Sequence, residues 1–165
     1  ETRQLLSTAY FYNGPATVRY PRGTGPNKTI EKELKLIEIG KANVVTDYGS
    51  KIVILNFGAL LEEACSVAKD LQITLIDMRF VKPLDEELLK KYLTKADMFV
   101  SIEDGSVMGG AGSAVQEFCS RENIEIKSVL FGIPDTFIEH ASRKEMLEEA
   151  GLTSKKIKSK IEDLL

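Results

Sequence analysis

The stretch Asp97-Met-Phe-Val-Ser-Ile-Glu-Asp-Gly-Ser-Val-Met-Gly-Gly-Ala-Gly-Ser-Ala-Val-Gln-Glu-Phe118 decides the fold. Its apolar run, residues 98–102, is too short for a buried helix and predicts a core strand that stops at the acidic loop Glu103-Asp104-Gly105. A glycine-rich turn follows, and the residues after it predict one buried helix face because they recur at helical spacing: Ala114, Val115, Phe118 and Cys119. In open α/β sheets, ligands and partners gather at such carboxyl ends of strands.

The glycine-rich turn, residues 109–112, allows two interpretations. One is a phosphate site, because amide groups at a helix N-terminus attract anions. The pattern is Gly-Gly-x-Gly, however, and it lacks the Lys-Ser/Thr of a P-loop. In addition, Glu103 and Asp104 would repel an anion. We therefore favour the other interpretation, in which small residues let the helix lie close to its sheet, to another domain or to a subunit.

Composition and charge narrow the class of protein. With 165 residues, 43% hydrophobic and 28% charged, the chain is typical of a soluble globular protein that can bury a full core. The net charge of −3 gives no support for nucleic-acid binding, and no apolar run approaches the length of a membrane span. The cysteines, Cys65 and Cys119, fall on the apolar sides of predicted helices and predict buried free thiols in a reducing, cytoplasmic compartment.

Alternating strand and helix patterns from residue 40 onward predict an α/β fold: a three-layer, mostly parallel sheet with helices on both faces. The segment Asp47-Tyr-Gly-Ser50 joins two β-rich runs and predicts a hairpin, which makes the first strand an antiparallel edge. Asp85 is a predicted N-cap, and Ser142 with Glu145 forms a capping box. The last helix is predicted to bury Ile157, Ile161 and Leu164.

The first quarter of the chain has a different pattern. Residues 1–10 read as the tail of a helix, Ala16–Tyr20 as a short strand, and the polar residues 24–33 as a linker. These elements cannot form a core by themselves. We therefore expect residues 1–25 to be the end of a separate domain, 26–38 to be a linker and 39–165 to be the main domain. Since the sequence does not begin with Met, we expect a piece of a longer protein.

Few residues suggest self-contained chemistry. His140 is a lone loop histidine, which more often lies at a surface than acts as a base. Adjacent acids such as Glu103 and Asp104 point apart in an extended loop, so hydrogen bonding or an interface is favoured over a paired-carboxylate site. Asp77 and Arg79 share a face at a strand end, where an ion pair or a contact with a neighbouring domain is expected. We predict no catalytic, cofactor-binding or metal-binding residue in the main domain.

Arg22 is the exception. In Arg19-Tyr-Pro-Arg-Gly23, proline stiffens one side of the Arg22 backbone and glycine frees the other. A guanidinium placed in this way suits bidentate recognition of a phosphate or carboxylate. An arginine that ties the linker to its neighbours explains the pattern equally well.

Several motifs together resemble the 1-deoxy-D-xylulose-5-phosphate synthases of the transketolase superfamily. In order along the chain, these motifs are Val18-Arg-Tyr-Pro-Arg-Gly23, Asn56-Phe-Gly58, Asp77-Met-Arg-Phe-Val-Lys-Pro-Leu-Asp85, Met108-Gly-Gly-Ala-Gly-Ser113 and Gly132-Ile-Pro-Asp135. The resemblance covers essentially the whole chain, as the C-terminal quarter of such an enzyme. It implies a transketolase C-terminal-domain fold from residue 39 onward, preceded by the end of a central, pyrimidine-binding domain in residues 1–25.

The resemblance also implies an activity. Enzymes of this family use thiamine diphosphate and Mg²⁺ to condense pyruvate, with loss of carbon dioxide, with glyceraldehyde 3-phosphate. The product feeds isoprenoid, thiamine and pyridoxal synthesis. In the family the arginine that matches Arg22 binds the phosphate of the acceptor substrate.

The resemblance implies an incomplete site as well. The family's Gly-Asp-Gly…Asn motif for diphosphate and magnesium is not found in this sequence, where Glu103-Asp104-Gly105 lacks the first glycine and the later partner. We therefore expect the chain alone to bind no cofactor, to be inactive, and to serve packing against the N-terminal and central domains in a homodimer. The expected contact surfaces are residues 103–112 and 77–82. A related transketolase, a 2-oxo-acid dehydrogenase beta subunit or a non-enzymatic interaction module are the alternatives.

Overall fold

The computed structural model describes residues 1–21 and 33–164. Within these residues the helices are α1 (Thr2–Phe11), α2 (Leu61–Leu71), α3 (Glu86–Leu93), α4 (Ala111–Arg121), α5 (Arg143–Glu149) and α6 (Ser154–Glu162). The strands are β1 (Asn43–Thr46), β2 (Ile52–Phe57), β3 (Thr74–Asp77), β4 (Met98–Ser106) and β5 (Lys127–Ile133). From β2 onward, each strand is followed by at least one helix, which is the order that the sequence pattern predicts.

The five strands form one sheet in the order β1-β3-β2-β4-β5. Strand β2 is parallel to both β3 and β4, and β4 is parallel to β5. All six residues of β2 are buried, as expected for a parallel strand that is covered on both faces. Strand β1 lies at the edge and is antiparallel to β3. The predicted mostly parallel sheet with an antiparallel edge strand is confirmed.

The predicted hairpin between β1 and β2 is wrong, because β3 lies between these two strands. The segment Asp47–Ser50 does reverse the direction of the chain, and the Asp47 carboxylate accepts a hydrogen bond from the amide of Gly49 (2.9 Å). The same carboxylate accepts a second one, of 3.1 Å, from the hydroxyl of Thr74, the first residue of β3. The turn residues therefore predict the reversal but not the identity of the neighbouring strand.

Helices cover both faces of the sheet, which gives two hydrophobic cores and three layers. On one face, helices α2 and α6 lie against alternate residues of the central strands, with Ala64, Val67, Ile157 and Ile161 buried against Ile54, Leu75 and Val100. On the other face, α3 and α4 bury Leu89, Leu93, Val115, Phe118 and Cys119 against Val53, Leu55, Ile76 and Phe99. The alternation of strand residues between the two cores follows from the two-residue period of a strand.

The helix boundaries follow their capping residues. The Asp85 carboxylate accepts a hydrogen bond from the amide of Leu88 (3.1 Å), and Ser142 and Glu145 form both bonds of a capping box. Both predictions are confirmed. Leu164, predicted to be buried, is 50% exposed, because α6 ends at Glu162 and the helical spacing does not continue beyond it.

The segment before residue 22 contains one helix and no strand in its described residues, so the predicted strand Ala16–Tyr20 is wrong. A strand needs a hydrogen-bonded neighbour, and the described sheet ends at β1 and β5. Helix α1 is joined to the segment before β1 at Thr8, whose hydroxyl accepts a hydrogen bond of 2.8 Å from the amide of Ile37. Across residues 1–21 and 33–164, none of the helices has the length and apolar character of a membrane span.

Candidate functional site at the carboxyl ends of the strands

The turn between β4 and α4 is occupied by a side chain of the protein. Strand β4 extends through the predicted acidic loop to Ser106, which brings Glu103 beneath the start of α4. The Glu103 carboxylate accepts hydrogen bonds from the amides of Ala111 (2.9 Å) and Gly112 (3.0 Å), and the residue is 4% exposed. Negative charge is favourable at a helix N-terminus, so Glu103 takes the place that a bound anion would use.

The glycines of this turn allow the close approach. A Cβ at Gly110 would collide with the carbonyl oxygen of Ser106 and with the Glu103 carboxylate. A Cβ at Gly112 would collide with the Ser101 hydroxyl on β4. The close approach that the packing interpretation predicts is therefore present, and the Glu103 carboxylate occupies the place that a phosphate would use.

Asp104 lies beside the residue that follows β2 and beside the first segment of the chain. A Cβ at Gly58, which follows β2, would lie 3.4 Å from Asp104 Oδ1. A nitrogen of the Arg19 guanidinium lies 3.7 Å from the same oxygen. The Glu103 carboxylate is hydrogen-bonded to two amides, so the favoured prediction of hydrogen bonding over a paired-carboxylate site is confirmed for Glu103.

Asp77 and Arg79 form a charged cluster with Glu1 at the end of β3. Arg79 donates a hydrogen bond of 2.8 Å to the Glu1 carboxylate on the side of α1, which makes it a link between the first helix and the sheet. Asp77 is 4% exposed. Its burial, with a further contribution from the Glu1 carboxylate, raises the pKa of Asp77 to about 6, although Arg79 acts in the opposite direction. This is a structural charge cluster.

The remaining candidates give no further chemistry. His140 is exposed in the loop before α5, as predicted. Cys65 and Cys119 form no disulfide with each other; Cys119 is buried as predicted, whereas Cys65 is half-buried. Burial raises the pKa of the Cys119 thiol. The described ranges contain no group of three or more His, Cys, Asp or Glu that could hold a metal ion. Arg22, the predicted phosphate-binding residue, lies outside the described residues.

One functional feature that the sequence prediction missed is the capping role of Glu103. The signal was present, because Gly110 stands at the N-cap of α4 and has no side-chain acceptor for the first amides of the helix. A helix that begins on glycine needs an acceptor from elsewhere. Glu103, on the strand directly before the helix, supplies this acceptor.

The fold and this turn define the class of protein. Residues 40–157 match the family model described as "Transketolase, C-terminal domain", and because the match covers most of the chain, the chain belongs to this family. Two solved structures agree. The one described as "Split gene transketolase, inactive beta4 tetramer" is 29% identical with a TM-score of 0.69, over 87% of this chain and 45% of that chain. A transketolase from Campylobacter jejuni, at 17% identity and a TM-score of 0.56 over 75% of this chain and 18% of that one, supports the fold alone.

More particular relatives match the chain along its whole length. It is 52% identical over 166 residues to the 1-deoxy-D-xylulose-5-phosphate synthase of Pseudomonas fluorescens (strain Pf0-1) and equally to that of Pseudomonas syringae pv. tomato (strain ATCC BAA-871 / DC3000). Each match covers 100% of this chain and 26% of the relative. The chain therefore spans about a quarter of the length of these relatives, and the resemblance drawn from its motifs is confirmed.

Proposed function

We propose that the chain is the C-terminal part of a cytoplasmic 1-deoxy-D-xylulose-5-phosphate synthase. This transferase condenses pyruvate, with loss of carbon dioxide, with glyceraldehyde 3-phosphate, and its product feeds isoprenoid, thiamine and pyridoxal synthesis. The observation that carries the proposal is the 52% identity to synthases of that name along the entire chain. A transketolase is less well supported, since the two transketolase structures named above share 29% and 17% identity with the chain. A 2-oxo-acid dehydrogenase beta subunit is the other alternative.

The proposed domain organisation has three parts. Residues 1–25 are the end of the central, pyrimidine-binding domain, 26–38 are a linker, and 39–165 are the C-terminal domain. The exposed apolar side chains of α1 support this division, because Leu6, Tyr10 and Phe11 are 48%, 83% and 69% exposed. In the proposed enzyme these side chains contact the rest of the central domain.

The described residues do not fit a diphosphate and magnesium site. The glycine-rich helix start, where a diphosphate would be expected, is filled by the Glu103 carboxylate. The described part of the chain also offers no cluster of metal-ligating side chains. We therefore propose that thiamine diphosphate and Mg²⁺ bind to the parts of the enzyme that this chain does not contain, and that the chain alone has no turnover.

Arg22 is the proposed substrate-binding residue of this part, and its partner is the phosphate of glyceraldehyde 3-phosphate. A phosphate bound at a fixed distance orients the aldehyde, which raises the rate by placing the reacting atoms. The argument for this role is the match of residues 18–23 to the synthase motif, together with the suitability of a guanidinium for phosphate.

The test uses the full-length enzyme that contains this chain and compares wild type with Arg22→Ala. Condensation of pyruvate is measured with glyceraldehyde 3-phosphate and with unphosphorylated glyceraldehyde. With glyceraldehyde 3-phosphate we expect kcat/KM to fall by on the order of a hundredfold or more, because the variant loses a charged pair with the phosphate. With unphosphorylated glyceraldehyde kcat/KM should stay unchanged. Equal losses of kcat/KM with both acceptors would instead indicate that Arg22 has a structural role at the domain boundary. Absence of any condensation by the wild-type enzyme would refute the proposed activity.

We also propose that the enzyme is a homodimer whose contacts involve residues 103–112 and 77–82. Exposed apolar side chains within these two segments, Met108 and Val81, support this choice of surface. The split-gene transketolase structure, described as a tetramer, shows that a protein of similar fold self-associates. Analytical ultracentrifugation of the full-length enzyme tests this surface. Met108→Asp should weaken the dimer, whereas the control Glu117→Asp, on the exposed face of α4, should not. A Met108→Asp dimer as stable as that of wild type would count against the proposed surface.

A further inference from the structure

Helix α1 is attached to the rest of the described chain by polar contacts at its middle and at its start. Thr8 is the buried residue of this helix, and its hydroxyl accepts a hydrogen bond of 2.8 Å from the amide of Ile37. At the start of the helix, the Glu1 carboxylate accepts a hydrogen bond of 2.8 Å from Arg79 Nε. A helix of 10 residues is marginally stable in water by itself. The stability of α1 therefore depends on such contacts, and a change of charge beside Glu1 should loosen the helix.

The contact at Glu1 includes a second carboxyl group. Asp77, the last residue of β3, is 4% exposed, and its side chain is hydrogen-bonded to that of Glu1. Two carboxyl groups form such a bond only when one of them holds a proton, because an ionised carboxylate has no donor. Arg79 contacts both groups, since its backbone amide donates to Asp77 and its Nε donates to Glu1. The cluster thus combines two carboxyl groups with one guanidinium.

Burial decides which of the two carboxyl groups holds the proton. The side chain of Glu1 is 37% exposed, and the charged form is disfavoured more strongly at the more buried Asp77. Burial, followed by the Glu1 carboxylate, raises the pKa of Asp77 to about 6, against the effect of Arg79. Opposite Asp77 on the neighbouring strands β1 and β2 stand Asn43 and Asn56, which do not ionise. Asp77 is therefore the group at which the cluster gains or loses its proton.

We propose that this carboxyl pair, Asp77 with Glu1, is a pH-sensitive switch that controls the attachment of α1 to the sheet. When the proton is present, Asp77 donates to an ionised Glu1, Glu1 accepts from Arg79, and the cluster has no net charge. When the proton is lost, two carboxylates share one guanidinium, and their repulsion is relieved if α1 moves away.

Detachment of α1 and release of the Asp77 proton are thus linked. Because contact with Glu1 raises the pKa of Asp77 above its ordinary 3.8, the attached state binds the proton more tightly than the detached state. The attachment should therefore be strongest near pH 4, weaken as pH rises to about 6, and change little above that value. This inference concerns contacts within the chain and does not depend on the proposed activity.

Hydrogen–deuterium exchange of the 165-residue chain, followed by mass spectrometry from pH 4.5 to 7, tests the switch. Protection factors remove the intrinsic pH dependence of exchange, and peptides from α1 and α4 are compared. Protection of α1 should be lower than that of α4 at every pH, because α1 opens without unfolding of the sheet. Between pH 4.5 and 7 the protection of α1 should fall about fivefold, the upper range for a partly exposed charge pair.

Two variants and a control assign this change to the carboxyl pair. Asp77→Asn keeps a hydrogen-bond donor but cannot ionise, so the protection of α1 should stay constant over this range. Glu1→Gln, at the exposed start of α1, removes the repelling charge and should reduce the fall to less than about twofold. Asp97→Asn, which replaces an exposed carboxylate elsewhere, should keep the wild-type fall.

Three results would overturn the switch. The first is a protection of α1 that stays constant with pH in the wild-type chain. The second is a fall in Asp77→Asn or Glu1→Gln as large as that in wild type. The third is equal protection of α1 and α4, because α1 would then open only when the whole chain unfolds.

Discussion

Helices α4 and α1 each carry a phenylalanine, but the described part of the chain buries only the one in α4. In α4 the first amides are bound by Glu103, and Phe118 is 2% exposed in the core. In α1 the helix is attached through Thr8 and Glu1, and Phe11 is 69% exposed. The apolar residues of α4 are therefore buried by the described part of the chain. Those of α1 are not, and we propose that other parts of the enzyme cover them.

The largest expected effect comes from the matched pair Phe118→Ala and Phe11→Ala. Phe118→Ala should lower the free energy of unfolding by about 3–5 kcal/mol, the usual cost of emptying a buried aromatic site. Phe11→Ala should change it by less than about 0.5 kcal/mol in the 165-residue chain. Urea unfolding followed by circular dichroism measures both. A loss above about 2 kcal/mol for Phe11→Ala would mean that α1 belongs to the same core as α4.

A second pair tests the polar side of the same comparison. Glu103→Ala removes the acceptor of two buried amides and should cost about 3 kcal/mol, since charge-assisted hydrogen bonds are the strong ones. Glu117→Ala, on the exposed face of the same helix, should cost less than about 0.5 kcal/mol. The same unfolding assay applies. Similar values for the two variants would show that the Glu103 contacts contribute little.

The charge cluster that links α1 to the sheet predicts a dependence on pH. Because the pKa of Asp77 is about 6 in the folded protein and 3.8 ordinarily, the folded state retains a proton that the unfolded state has lost between these values. The free energy of unfolding should therefore fall as pH rises from about 4 to about 6, by up to about 3 kcal/mol from this group. Above that window Asp77 adds no further change.

The difference between wild type and Asp77→Asn isolates this contribution, because the variant cannot ionise at that position. Asp97→Asn, which replaces an exposed carboxylate, is the matched control and should keep the wild-type profile. A pH profile of Asp77→Asn parallel to that of wild type from pH 4 to 7 would contradict the prediction.

Local signals in the sequence predicted those features that depend on a few neighbouring residues. The Asp85 cap, the Ser142–Glu145 capping box and the buried face of α4 are of this kind, although Ala114, predicted on that face, is half-buried. The partner of β1 was not predictable, because Asp47–Ser50 specifies a reversal while the insertion of β3 depends on residues 27 positions away, as in the contact of Asp47 with Thr74. The prediction of a strand at Ala16–Tyr20 was wrong for a related reason. The residues have strand propensity, but propensity alone does not provide a neighbouring strand to pair with.

In the candidate site, too, only the features that depend on neighbouring residues could be predicted from the sequence. That the glycine turn serves packing followed from its spacing and from the acids beside it. That Asp104 meets Arg19, 85 residues away in sequence, required the fold to bring the end of β4 beside the first segment of the chain. Contacts of this range depend on the order of strands in the sheet, which no single stretch of sequence specifies.

The glycine-rich turn holds the Glu103 carboxylate, and we propose that phosphate is recognised elsewhere. The most direct measurement is a ¹H–¹⁵N NMR titration of the chain with inorganic phosphate, following the amides of Ala111 and Gly112. We predict that both resonances stay in place, because their hydrogen bonds to Glu103 are already made. A saturable shift of these two amides would contradict the claim and make the turn an anion site.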